Sequence, residues 1–332
     1  MHNLLTLPAI LFSLQMPPYI HRYFLSVTLL ISLLAFSPVN ETHAQSGLLW
    51  SVVKPGSRDT SFLLGTLHKY PKTVVQLPPV VEEKLANCRT LYLEMQLDWK
   101  MVFKMLTSGT INSEMMIDEN KEWTEEDWEE IEHWFVQVQK MDEADFKRIK
   151  GNASTSRLVD LYLKLYSYDF GAVEEDLKFM AKKEKIPIKG LDKDWNEIQS
   201  WYAHYAQGSS GFWEGGDLDS LLADGYYSLA DMFISYAVQD TATLGEIDQD
   251  DRWKDGLSLV EWRNINWMKQ LPQLMGNRVF VAVGAAHLFG KNGVLNLLKQ
   301  QGFICRPVEG HFGGDKLERF IRRNGRQYQL AD

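Results

Sequence analysis

The chain has almost no cysteine: Cys88 and Cys305 are its only two in 332 residues. A disulfide-stapled miniature fold and a multi-thiolate metal cluster are both excluded. The two thiols either form the single possible bridge or stay separate and buried. There is no Lys/Arg block beyond Arg322-Arg323, and the formal net charge is -9. Nucleic acid is therefore not expected as a partner. Also missing are a His-Glu-x-x-His helix, a Gly-x-Ser-x-Gly elbow and a Gly-x-Gly-x-x-Gly loop, which removes the common zinc-protease, serine-hydrolase and dinucleotide-binding classes. Residues 284–292 imitate a phosphate loop, but Gly284 and Gly290 are too far apart, and Asn292 stands where Ser or Thr would bind magnesium.

Long apolar runs are scarce too. The stretch 23–36, preceded by Arg22, falls short of the roughly 20 residues needed to span a bilayer. Thr42-His43-Ala44 then offers a small residue at a cleavage position. Residues 1–44 read as a signal peptide, with Met1 or Met16 as the start, so the expected location is secreted or periplasmic. Any membrane association would come only through an uncleaved signal. No cysteine near the cut provides a lipid anchor.

The remainder, 45–332, has globular composition, with 45% hydrophobic and 24% charged residues over the whole chain. Residues 48–53 and 61–65 read as a hairpin turning at 54–57; 78–87 read as a proline-opened helix and 90–94 as a strand. The last third repeats this order, with strand 278–283, helix 293–301 and strand 303–308. The expected fold class is α/β: a central mixed sheet built from two similar strand-GxxH-helix-strand halves, flanked by helices, with a helical middle region at about 100–275. In that region Thr124 begins a capping box, after which Trp128, Ile131, Phe135 and Val138 share a helical face. Residues 158–165, 173–183 and 218–237 also read as helices, 186–192 as a strand joining the sheet near the site, and 208–211 as a loop.

Without the signal, five histidines remain: His68, His133, His204, His287 and His311. His68 and His287 hold equivalent places, each three residues after a glycine at a strand end, where α/β proteins bind ligands. Gly65 and Gly284 are expected to allow tight turns there. The other three are read as structural or solvated. Glu94 closes its strand at the same sheet edge, and two imidazoles with a carboxylate have the composition of a catalytic metal site with room for water.

These motifs resemble the TraB/PrgY/GumN family, which includes the Tiki metalloproteases. The resemblance rests on Gly65-Thr66-Leu67-His68, Leu77-Pro78-Pro79, Leu91-Tyr92-Leu93-Glu94, Gly190-Leu191-Asp192, Arg263-Asn264 with Trp267, and Val283-Gly284-Ala285-Ala286-His287. It implies a metal-dependent peptidase-like centre acting on a peptide or protein substrate, with His68, His287 and Glu94 as ligands of a divalent metal such as Zn, Mn or Co. Glu94 would otherwise be the base, Arg263 would stabilise an oxyanion and Asn264 would orient a ligand or substrate, while Glu174 and Asp192 are second-tier candidates. The chain departs from the family pattern in having Asp192 where Gly-Leu-Glu is usual, and Ala172-Val173-Glu174 where Gly-Met-Asp or Gly-Val-Glu is usual. A shortened carboxylate at 192 displaces its oxygens by about a bond length, against a ligand tolerance near 0.2 Å. Two other activities fit the same residues: a sequestering peptide- or metal-binding protein without turnover, and hydrolysis of a non-peptide ester.

Overall fold

The structure, a computed structural model, describes residues 47–96, 124–151, 157–166, 169–193, 200, 218–246, 252–254 and 256–325. Residues 1–44, read above as a signal peptide, His204, and 208–211, read as a loop, lie outside the described residues, as do parts of the middle region. Six strands form the main sheet: β1 (Leu49–Val53), β2 (Thr60–Thr66), β4 (Thr90–Met95), β6 (Ile188–Asp192), β9 (Val279–Gly284) and β10 (Ile304–Pro307). Their spatial order is β10-β1-β2-β9-β4-β6. Two short two-stranded ladders lie outside it, β3 (Tyr70–Pro71) with β5 (Phe170–Gly171), and β7 (Arg252–Lys254) with β8 (Leu257–Ser258). The sheet is mixed: β1 runs antiparallel to both β10 and β2, while β2, β9, β4 and β6 are mutually parallel.

The uninterrupted apolar run of β9 reflects burial on both faces, because successive side chains point to opposite sides of a sheet. Phe280 and Ala282 join one core with Phe62, Leu64, Leu91 and Leu93, whereas Val279, Val281 and Val283 join the other with Leu63 and Tyr92. The first core is roofed by α1 (Pro79–Ala86), α5 (Val173–Lys183), α6 (Leu218–Val238), α7 (Thr241–Glu246) and α11 (Leu317–Asn324). The second lies under α8 (Leu259–Trp267), α9 (Leu271–Leu274) and α10 (Val294–Gln300). A third core is aromatic and belongs to the middle region: α2 (Glu125–Glu132), α3 (Glu143–Lys150), α4 (Arg157–Tyr166) and the first turns of α6 pack around Trp128, Phe135, Phe146 and Tyr162. No described helix is long and apolar enough to cross a membrane.

The two halves expected from the repeated order are both present, but they interleave. β9 of the second half inserts between β2 and β4 of the first, so the two Gly-x-x-His segments leave neighbouring parallel strands in the same direction. A buried side chain of β2 ties the halves together: the fully buried Ser61 hydroxyl donates to the Met275 carbonyl at 2.9 Å and accepts from the Val279 amide at 3.0 Å. Ser61→Ala leaves both backbone groups unsatisfied, with an expected cost of about 1–3 kcal/mol. Urea unfolding of the variant against wild type measures it.

One sequence expectation is corrected, and one left open is decided. The capping box of α2 forms through Thr124 and Asp127, and Trp128, Ile131 and Phe135 are buried as expected, but Val138 is 51% exposed. After Glu132 the backbone widens into a π-helical turn over His133–Val138, which breaks the 3.6-residue period, carries Trp134 inward and turns Val138 out. The cysteines are two free, buried thiols in different cores, Cys88 in the first and Cys305 in the second. Burial pushes their pKa values up to about 12 and about 11, so they are poor nucleophiles at neutral pH.

Candidate metal centre

All four parallel strands deliver polar side chains to their carboxyl ends. His68 follows β2, His287 follows β9, Glu94 sits near the end of β4, and Asp192 ends β6. Two helices supply the rest: Glu174 lies in the first turn of α5, where the helix N-terminus favours a carboxylate, and Arg263 and Asn264 sit together on α8. A Ser258–Glu261 capping box fixes the start of α8 and therefore the direction in which Arg263 leaves it.

Glu94 is the hub, and its side chain is 11% exposed. Its Oε2 accepts from Arg263 Nη2 at 2.7 Å and its Oε1 accepts from the Gly284 amide at 2.5 Å. Burial alone would raise its pKa; the Arg263 guanidinium, the two nearby imidazoles and the Gly284 amide outweigh this and hold the carboxyl well below the usual range. Neither motif glycine uses positive φ. Their value is space: a Cβ at Gly284 would crowd Glu94 Oε1 at 3.1 Å, and one at Gly65 would crowd the Ala285 Cα at 3.1 Å.

The two motif histidines have unlike environments. The His68 side chain is 72% exposed, with Nδ1 3.3 Å from Glu174 Oε1, and Glu174 with Glu94 raises its pKa against the opposing effect of burial. Thr66, two residues earlier, donates its hydroxyl to the same Glu174 oxygen at 3.4 Å. His287 is buried in a 3₁₀ turn, Ala285–His287. Asn264 Nδ2 donates to the His287 and Asn292 carbonyls, which leaves its Oδ1 to accept from His287 Nδ1 at 2.8 Å. The Nε2 lone pair therefore faces inward, 3.2 Å from Arg263 Nη1 and 3.7 Å from Glu94 Oε1. Trp267 stacks beside both groups, with ring centres 4.6 Å apart for His287 and the Arg263 guanidinium carbon 4.8 Å from the indole.

Burial, reinforced by Arg263 and offset in part by Glu94, lowers the His287 pKa from 6.5 to about 3. Between pH 6.5 and about 3 the unfolded chain therefore binds a proton at this position that the folded chain does not. Stability contributed by the neutral ring is whole above pH 6.5 and drains as the pH falls through that window. In chelator-treated protein, urea melts between about pH 5 and neutrality are expected to lose up to about 1.4 kcal/mol per pH unit, and His287→Gln removes this slope. His68, with its raised value, loses its contribution as the pH rises and so adds no loss in this acid window.

His68, Glu94 and Glu174 form the one group of three metal-binding side chains among the described residues, each offering a ligand atom within 4.8 Å of the others. Two donors on one ion lie at most about 4.4 Å apart for bonds of about 2.2 Å. The set therefore fits an ion after closing by a few tenths of an ångström, which the exposed His68 ring can supply. One imidazole and two carboxylates suit Zn, Mn or Co. His287 and Asp192 stand beside this group instead of within it: Asp192 accepts from Arg263 Nη2 at 2.7 Å and from Trp267 Nε1 at 2.5 Å. The short Asp192 side chain thus meets a guanidinium. His133 and His311 are exposed, away from this cluster.

The family model for TraB/PrgY/gumN matches residues 48–307, the whole of the sheet and everything that lines the centre. The chain belongs to the TraB/PrgY/gumN family. No curated protein and no solved structure matches it. Within this family frame, sequence reasoning had named every charged group of the centre but not Thr66, and it ranked Glu174 second. Both signals were present: Thr66 lies inside the first Gly-x-x-His motif, and Glu174 opens an amphipathic helix.

Proposed function

We propose that this TraB/PrgY/gumN family protein is an exported metal-dependent hydrolase whose substrates are peptides. The observation that carries this reading is the convergence of His68, Glu94 and Glu174 at the carboxyl end of a parallel sheet. A divalent ion held by these three residues would polarise a carbonyl and lower the pKa of water. The chain's own residues divide the remaining work. Arg263 and the Gly284 amide fix the Glu94 carboxylate and keep it ionised. Asn264 locks the tautomer and tilt of His287. Glu174, at 22% side-chain exposure, is the carboxylate that solvent reaches more easily than Glu94, so it is suited to take a proton from water.

Room for a substrate lies close by in the chain. A cavity of about 560 Å³ is lined by Lys69, next to His68, by Glu175, next to Glu174, and by Ala172, two residues before it; Arg148 and Lys164 of the helical middle region line it too. Its walls carry both signs of charge, which suits the amides and mixed side chains of a peptide better than a uniformly anionic ligand.

The test is cleavage of a mixed peptide library by purified full-length protein after chelation and readdition of Mn²⁺ or Zn²⁺. Metal-dependent cleavage that falls at least about 100-fold in Glu174→Gln is expected. Metal-independent cleavage, or none with any peptide under single-turnover conditions, contradicts the reading. Sequestration without turnover is the second reading, and the engagement of Glu94 by Arg263 favours it, since a carboxylate held this way is a weak base. Stoichiometric capture of intact peptide in the same assay would select it. Secretion is checked by comparing the N-terminus of the exported protein with Gln45.

A further inference from the structure

Two of the three ligands of the candidate centre, His68 and Glu174, lie on chain segments that are tied to each other on both sides of each residue. Ahead of His68, the Leu67 carbonyl accepts from the Val173 amide at 3.2 Å. After it, Tyr70 of β3 pairs with Gly171 of β5. Glu174 is bracketed in the same way: Val173 precedes it, and Asp176, two residues later in the first turn of α5, accepts from the Tyr70 hydroxyl at 2.6 Å. The His68 side chain is 72% exposed, so its place depends on the backbone that carries it more than on packing. Tyr70 is built into the bracket. It is buried, and its ring lies so near Gly171 that a Cβ there would stand 2.6 Å from the phenol Cζ, an approach that only glycine admits. Burial, the bond to Asp176 and the charge of that carboxylate raise the phenol's pKa above its ordinary value, so the hydroxyl remains a donor across the neutral range.

We infer that Tyr70 is a positioning residue of the metal centre: its bond to Asp176 sets the start of α5, and with it Glu174, against the segment that carries His68. The inference rests on the ion proposed at His68, Glu94 and Glu174. Glu94 needs no such device, since Arg263 and the Gly284 amide already hold it. The bracket fixes the main chain of the other two ligands and leaves the His68 ring free to swing onto the ion. A ligand must come within about 0.2 Å of its bonding distance, so a small release of the α5 start is enough to weaken binding. Tyr70 acts on the ion through Asp176 and Glu174 and touches neither ion nor substrate.

The test is the Mn²⁺ affinity of the full-length chain, by calorimetric titration, for wild type, Tyr70→Phe, Asp176→Ala and the double variant, with urea unfolding of each metal-free protein. Each single variant is expected to bind at least about 10-fold more weakly than wild type. The double variant should bind no more weakly than Asp176→Ala alone, because both lack the same bond. Tyr226→Phe is the control: it removes another buried tyrosine bond, to Asn324 at 2.8 Å, and should lower the urea midpoint with affinity unchanged. Wild-type affinity in Tyr70→Phe overturns the inference and leaves the ion's site standing. Equal weakening in Tyr226→Phe, or single losses that add in the double variant, also overturns it. No Mn²⁺ bound by wild type defeats both the site and the inference. If Tyr70→Phe does not fold, Asp176→Ala decides by the same comparison with wild type and Tyr226→Phe, and failure of both to fold even in excess Mn²⁺ overturns the inference.

Discussion

Glu94→Ala is expected to cost about 3–5 kcal/mol of stability and to lower the affinity for divalent metal by at least about 100-fold. Glu94 accepts from Arg263 and from the Gly284 amide while standing 3.7 Å from His287, so its truncation leaves the buried guanidinium with Asp192 as its one carboxylate partner and the Gly284 amide without its acceptor. The isosteric Glu94→Gln separates the two effects. It keeps the volume and one acceptor, and its stability loss is expected to be nearer 1–3 kcal/mol, whereas metal affinity falls as far as in the alanine variant. Denaturant unfolding with and without Mn²⁺ gives both quantities from one series. Equal metal affinity in Glu94→Gln and wild type would remove Glu94 from the ligand set.

Gly293→Ala should be the most damaging single methyl in the second half. A Cβ there would run into the Phe289 carbonyl oxygen, with the Phe289 and Leu288 backbone close behind, so no flexible side chain can give way. The loop that must move carries Asn292, whose carbonyl helps fix Asn264 and through it His287. A loss of about 3 kcal/mol is expected, with weakened acid sensitivity of His287 as a companion sign. Gly56→Ala is the contrast: φ there is 77° but nothing lies within 4 Å, so the cost should be about 1 kcal/mol of backbone strain. Thermal unfolding of the pair ranks them, and comparable losses would show that the 288–293 turn is more pliable than its contacts imply.

The sheet was legible in the sequence because its signals are local. The apolar run 279–283 announced a strand covered on both sides, Pro78-Pro79 announced the start of α1, and Thr124 with Asp127 announced that of α2. The repeated strand-helix-strand order assigns residues that end strands to one sheet edge, which brings His68, His287 and Glu94 together and the strand of Asp192 near them. What sequence position could not convey is burial imposed by distant segments. α8 covers His287, whereas the described residues leave His68 open to solvent, so two histidines in matching motifs have pKa shifts of opposite direction. The same limit explains Arg263. Its place on a helix was visible, but its bridging of Glu94, Asp192 and His287 depends on how α8 lies on the sheet. The exposure of Val138 was hidden because the π-turn carries no compositional mark.

Pulsed electron paramagnetic resonance of the Mn²⁺-loaded full-length protein tests the centre most directly, since it registers each coordinated imidazole as a nitrogen coupling. The structure predicts coupling to a single imidazole, lost in His68→Ala and retained in His287→Ala. Coupling that survives His68→Ala, or that vanishes in His287→Ala, would contradict the assignment of His68, Glu94 and Glu174 as the ion's ligands.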